Sequence, residues 1–85
     1  LGETEKALQT LKRALKIQRQ IYGETAPSMG TALSNLGNVY LDLARFDQAI
    51  DCFERSLNIH VTQFGTKSFS AAEALLDLGL AYEIK

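Results

Sequence analysis

The 85-residue chain is at most one small domain, and its 46% apolar content is ordinary for a soluble globular protein. Nine basic residues against ten acidic ones leave a net charge of −1, so nothing electrostatic points to nucleic acid or an anionic membrane surface. No apolar run approaches the roughly 20 residues that a membrane span needs, and a single cysteine, Cys52, excludes an internal disulfide and suits a reducing compartment. The opening LGETEKALQTLKR carries no signal-like apolar core, and no Asn-x-Ser/Thr acceptor occurs, so the expected location is cytoplasmic (intracellular).

The first element is a helix over residues 3–22. Ala7, Leu8, Leu11, Ala14, Leu15 and Ile17 recur at helical spacing, with Tyr22 at the end and Lys12, Lys16 and Arg19 on the other face. Glu3 and Glu5 sit in the first turn, where the helix dipole favours them, and Gly23 is a C-terminal stop. Pro27 opens a second helix over residues 27–43, whose stripe is Leu33, Leu36, Gly37, Tyr40 and Leu43. A glycine in mid-helix costs roughly 1 kcal/mol against alanine, so Gly37 implies a close helix crossing with no room for a Cβ. The Ala44-Arg45 connection permits only an immediate turn back. A third helix follows over residues 46–64, with Ala49, Ile50, Phe53, Leu57 and Ile59 apolar, and Gly65 ends it as Gly23 ends the first. Ser68 or Ser70 is the candidate cap of a fourth helix over residues 69–85, Ser70 and Glu73 having capping-box spacing. No segment alternates with period two, so the expected class is all-α.

Residues 2–43 laid on 44–85, a shift of 42, align without a gap. Ala7/Ala49, Arg13/Arg55, Leu15/Leu57, Ile17/Ile59, Gly23/Gly65, Leu36/Leu78, Gly37/Gly79 and Tyr40/Tyr82 are identical pairs. A fixed period of that size marks a stacked helical array, in which each unit buries its apolar face only against its neighbours. Tyr40 and Tyr82, at the same place in both copies, read as shared packing residues.

Asn35-Leu36-Gly37-x-x-Tyr40, followed by Phe46-x-x-Ala49-x-x-x-Phe53-x-x-Ser56-Leu57, resembles the tetratricopeptide (TPR) repeat, with Ser56 where alanine is usual. The period departs from the usual 34 residues by about two helical turns and is similar to the 42-residue repeats of kinesin light chain and its relatives. The resemblance implies an α-α superhelix, a solenoid of antiparallel helix pairs, read here as four helices in the order B, A, B, A over residues 1–85. It also implies a protein–protein interaction scaffold that takes a peptide or partner domain on a concave face built from helix A residues. By position that face is Thr31, Ser34, Asn35, Asn38, Leu41 and Asp42 from the first helix A. From the second it is Glu73, Leu76, Asp77, Leu80 and Glu83. Asparagine suits such a groove, since its amide both donates to and accepts from a peptide backbone.

The carboxylate-clamp variety of the family needs Lys and Arg on helix A. None occurs from Pro27 to Leu43, and Lys85 alone follows Phe69, so that mode is not expected. His60, the only histidine, has no partners at metal-ligand spacing, and Cys52 reads as a packing residue. Lys12, Lys16 and Arg19 read as a solvated outer ridge. With no phosphate-binding glycine loop, nucleophile–base pair or carboxylate pair, the expectation is no enzyme, no cofactor and no metal. The second reading is structural. Leu76, Leu80 and Ile84 stand where Ser34, Asn38 and Asp42 stand, so the last helix exposes an apolar flank for stacking on a neighbouring repeat or for self-association.

Overall fold

The computed structural model describes residues 2–84, and among them there are four helices and no strand. They are α1 (Gly2–Tyr22), α2 (Pro27–Asp42), α3 (Phe46–Phe64) and α4 (Phe69–Ile84). The expected last position of the fourth helix, Lys85, lies outside the described residues. The second helix closes at Asp42, one residue short of expectation, with Leu43 as its cap.

Each helix end has a local cause. Gly23 and Gly65 take φ values of 87° and 89°, a region costly for any residue with a Cβ. Their N–H groups bond the carbonyls of Arg19 and Val61 at 3.0 and 2.8 Å. The tight turn between α2 and α3 is a Schellman motif: Arg45 N–H bonds the Tyr40 carbonyl at 2.8 Å and Ala44 N–H bonds that of Leu41 at 2.9 Å. Here the left-handed residue is Ala44, at φ 59°, where glycine is usual. Ala44→Gly is therefore expected to stabilise the fold by about 1 kcal/mol, read as a higher urea midpoint at unchanged slope. Of the two candidate caps for α4, Ser68 does the work, its Oγ accepting from Ala71 N–H at 3.1 Å.

The helices form a flat slab with Cα extents of 37 × 33 × 16 Å. α2 packs on both α1 and α3, α3 packs in turn on α4, and α2 meets α4 only along an edge. Among the described residues no close backbone approach joins α1 to α3. Two layers result, α1 and α3 on one side, α2 and α4 on the other. Their shared core includes Leu8, Leu15, Met29, Leu33, Leu36, Tyr40, Ala49, Ile50 and Phe53. Because α1 has one neighbour rather than two, only Leu8 and Leu15 of its expected stripe are fully buried, while Ala7, Ala14 and Ile17 stay exposed.

The α2–α3 hairpin has a readable register. Gly37 faces Phe53, Ser34 bonds Ser56, and Gly30 faces His60, each step back along α2 matched by an equal step forward along α3. A Cβ on Gly37 would lie 2.7 Å from the Phe53 ring, which is the close crossing expected from the mid-helix glycine. Ser56 is wholly buried and donates to the Gly30 carbonyl at 2.8 Å. A hydroxyl has one proton, so Ser34 must be the donor in the 2.6 Å Ser34–Ser56 bond. The serine at this alanine-type position thus links α3 to two points of α2. Ser56→Ala is expected to lose about 1 kcal/mol, measured by denaturant unfolding.

Candidate functional site

α2 and α4 run side by side in one layer, and their shallow meeting leaves a cleft of about 180 Å³ floored by α3. Thr31, Ser34, Asn35 and Asn38 of α2 form one wall, and Ser70, Glu73, Ala74 and Asp77 of α4 form the other. His60 reaches the cleft from α3. Six of the residues singled out from sequence therefore come together: Thr31, Ser34, Asn35, Asn38, Glu73 and Asp77.

The others do not join them. Asp42 continues the α2 stripe past Asn38 but lies outside the cleft, and Leu41 is half-buried against the core. Leu76 and Leu80 are 68% and 54% exposed and lie on the flank of α4 opposite the buried Ala71, Ala74 and Ala81. Glu83 is also exposed and outside. The reason is rotational. On α4 the Ser70, Glu73, Asp77 stripe faces α2, and Leu76 and Leu80 lie one step further round.

Among the described residues no Lys or Arg lines the cleft. Glu73 and Asp77 stand one turn apart on the same stripe, and burial first, then the Glu73 charge, hold the Asp77 carboxyl above its ordinary 3.8. A raised carboxylate pKa stabilises the folded chain below the ordinary value, and that contribution is lost as pH rises through the raised value. Asp77→Asn is thus expected to raise stability at neutral pH, with the difference from the parent vanishing in acid below pH 3.8. Paired urea titrations at the two pH values check it.

His60 was not expected here from sequence. It is 7% exposed, its ring packs against α2 at Gly30, and it stacks on Phe64 at a centroid distance of 6.1 Å. Gly30 makes this possible: a Cβ there would come within 2.8 Å of the imidazole. The signal was a second glycine inside α2, opposite His60 in the hairpin register. Nδ1 of His60 is buried without a hydrogen-bond partner. Among the described residues no group of His, Cys, Asp and Glu is arranged to hold a metal ion.

A second, larger concavity of about 710 Å³ separates α1 from α3 on the opposite layer. Leu15, Leu36, Tyr40 and Cys52 line its depth. The basic ridge Lys12, Lys16 and Arg19, read from sequence as an outer surface, forms one rim of it; Asp47, Asp51 and Arg55 form the other. Burial and neighbouring Asp51 push the Cys52 thiol up to about 11, against a smaller opposite effect of Arg55. Cys52 is therefore unreactive at neutral pH. Alkylation by iodoacetamide at pH 8 should be far slower in the folded chain than in urea.

These features recur in known proteins. The tetratricopeptide repeat family model matches residues 1–60 and again 28–85, overlapping matches that span the chain. The chain belongs to the tetratricopeptide repeat family, whose helical repeats mediate protein–protein interaction. Among its relatives is the clustered mitochondria protein homolog of Aspergillus niger, 30% identical over 80 residues, covering 94% of this chain and 6% of that protein. The same description applies to the homolog from Aspergillus oryzae, at the same identity and coverage. The kinesin light chain-related protein 1 of Arabidopsis thaliana is 30% identical over 60 residues, 71% of this chain and 10% of that protein. The chain thus spans a small fraction of each relative's length. Among the described residues no helix is long and apolar enough to cross a membrane.

Proposed function

We propose that the chain is part of a protein-binding array and that it engages an extended or helical peptide, or a partner domain, through the α2–α4 layer. The observation that carries this reading is the convergence of Thr31, Ser34, Asn35, Asn38, Glu73 and Asp77 on one cleft. Thr31, Asn35, Asn38 and Glu73 are exposed, and the two amides offer donors and acceptors to a peptide backbone. Such a role involves no chemistry of the chain's own, and a cytoplasmic setting accords with its free, buried Cys52. The test is selection of peptides from a random library on the folded chain, followed by Asn35→Ala with Asn38→Ala. Loss of binding at least tenfold supports the reading; a selected peptide indifferent to both changes sinks it.

A second reading has its own observation. Gly37 is filled by Phe53, whereas Gly79, its counterpart one period later, has nothing within 4 Å. Tyr40 is buried, whereas Tyr82 is exposed and donates a hydrogen bond to Glu54 Oε1, 3.3 Å away. Phe69, Leu75, Leu76, Leu80 and Ile84 are all more than half exposed. On this reading α4 is a stacking surface, covered in a longer array by a further helix that sets an aromatic ring over Gly79. A molar mass by light scattering that stays monomeric at all concentrations, with no slow exchange at Gly79, would count against it.

A further inference from the structure

We infer that the α2–α4 cleft is a pocket for a cationic side chain, arginine or lysine, of the bound peptide, an inference that rests on reading this cleft as the peptide site. Four observations converge on it. Among the described residues the lining holds two carboxylates, Glu73 and Asp77, and no Lys or Arg. Neither carboxylate forms an ion pair with a basic side chain among the described residues. The opposite wall presents amide and hydroxyl oxygens of Asn35, Asn38 and Thr31, which are further acceptors. Finally, His60 is more than nine-tenths buried, lines the cleft, and has an unpartnered ring nitrogen.

Two carboxylates held on one stripe by their i, i+4 spacing, facing amide and hydroxyl oxygens across a cleft that the buried His60 also lines, are an arrangement short of a hydrogen-bonding cation. Two like charges one turn apart repel in the empty site. A guanidinium between them removes that repulsion and offers five N–H donors in a planar fork, enough for both carboxylates and the facing amides. An ammonium supplies the same charge with three donors and no plane, so arginine is favoured over lysine. A glutamate or aspartate side chain would instead add a third negative charge to the cleft and is excluded by the same electrostatics. This polarity is opposite to that of a site for a peptide carboxylate, in keeping with the absence of basic residues from Pro27 to Leu43.

The probe is a set of capped pentapeptides, acetyl-Gly-Ser-X-Ser-Gly-amide, with X arginine, lysine, glutamate or leucine. Each is titrated to millimolar concentration while the backbone amide signals of Asn35, Asn38 and Asp77 are followed by NMR. The arginine peptide is expected to bind about tenfold more tightly than the leucine peptide, with the glutamate peptide weakest. Asp77→Asn with Glu73→Gln should erase the difference between arginine and leucine. Both substitutions keep side-chain size, Glu73 being exposed and Asp77 half-buried, and Lys16→Gln, across the slab, should leave the ranking intact. An arginine peptide no tighter than the leucine peptide, or a preference that survives the double substitution, overturns the inference. If leucine or glutamate peptides shift the same three amides more strongly, the cation pocket is wrong while the cleft stands as a peptide site. If all four peptides shift only residues of the α1–α3 groove, both fall together.

Discussion

Phe53→Ala is expected to remove about 3–5 kcal/mol of stability, enough to unfold a large fraction of so small a domain. Phe53 has no exposed surface, and its ring is the piece that fills the α2–α3 crossing against Gly37. Truncation leaves a ring-sized cavity in the one region shared by both layers, and the glycine opposite has no side chain with which to collapse into it. The measurement is equilibrium unfolding in urea followed by circular dichroism. Where the alanine variant is too unstable to fold, Phe53→Leu supplies the graded version, with an expected loss of roughly 1–2 kcal/mol. A loss under half a kilocalorie in either variant would mean that the crossing does not hold the hairpin.

The second large effect is a contrast between two glycines in matching sequence settings. Alanine in place of a mid-helix glycine gains about 0.5–1 kcal/mol from backbone entropy when space allows. At Gly79 nothing lies within 4 Å of the added methyl, so Gly79→Ala is expected to stabilise by that amount. At Gly37 the methyl would sit 2.7 Å from Cε1 of a ring that is packed on all sides, so the same substitution forces the two helices apart. Gly37→Ala is expected to destabilise by about 1–3 kcal/mol. The two effects have opposite sign. Combining Gly37→Ala with Phe53→Leu should show a favourable coupling, since the smaller side chain yields room to the methyl. Equal effects at the two glycines would show that Gly37 is not a contact position, and the hairpin register would have to be redrawn.

Much of the fold was legible because it depends on neighbours close in sequence. Gly23 and Gly65 announce helix ends through a backbone preference that needs no tertiary context, and the Ala44-Arg45 turn allows only a hairpin. Gly37 pointed to a close crossing, though only the structure supplies Phe53 as its partner. What escaped was set by stacking between helices distant in the chain. The side of the repeat on which α1 and α3 separate is not written in either helix, so Lys12, Lys16 and Arg19 read as outer surface although they rim a groove. In the same way Leu76 and Leu80 were assigned to the lining by their positions in the repeat, while the rotation of α4 turns them onto the opposite flank. In sequence His60 has no ligand-like neighbours to mark it. Its significance comes from Gly30, which lets the ring lie against α2, and from the carboxylates that α4 brings alongside.

The two faces of the slab offer different chemistry to a partner. One has a small polar cleft with two carboxylates; the other has a larger, apolar-floored groove with one basic rim. A single experiment separates them. A peptide selected on the folded chain is bound to isotope-labelled protein, and the amide shifts are mapped onto the helices. The expected result is a contiguous set of changes at Thr31, Asn35, Asn38, His60 and Asp77, with Lys12, Lys16 and Arg55 unmoved. Changes confined to Lys12, Lys16, Cys52 and Arg55 would contradict it and move the binding face to the other side of the molecule.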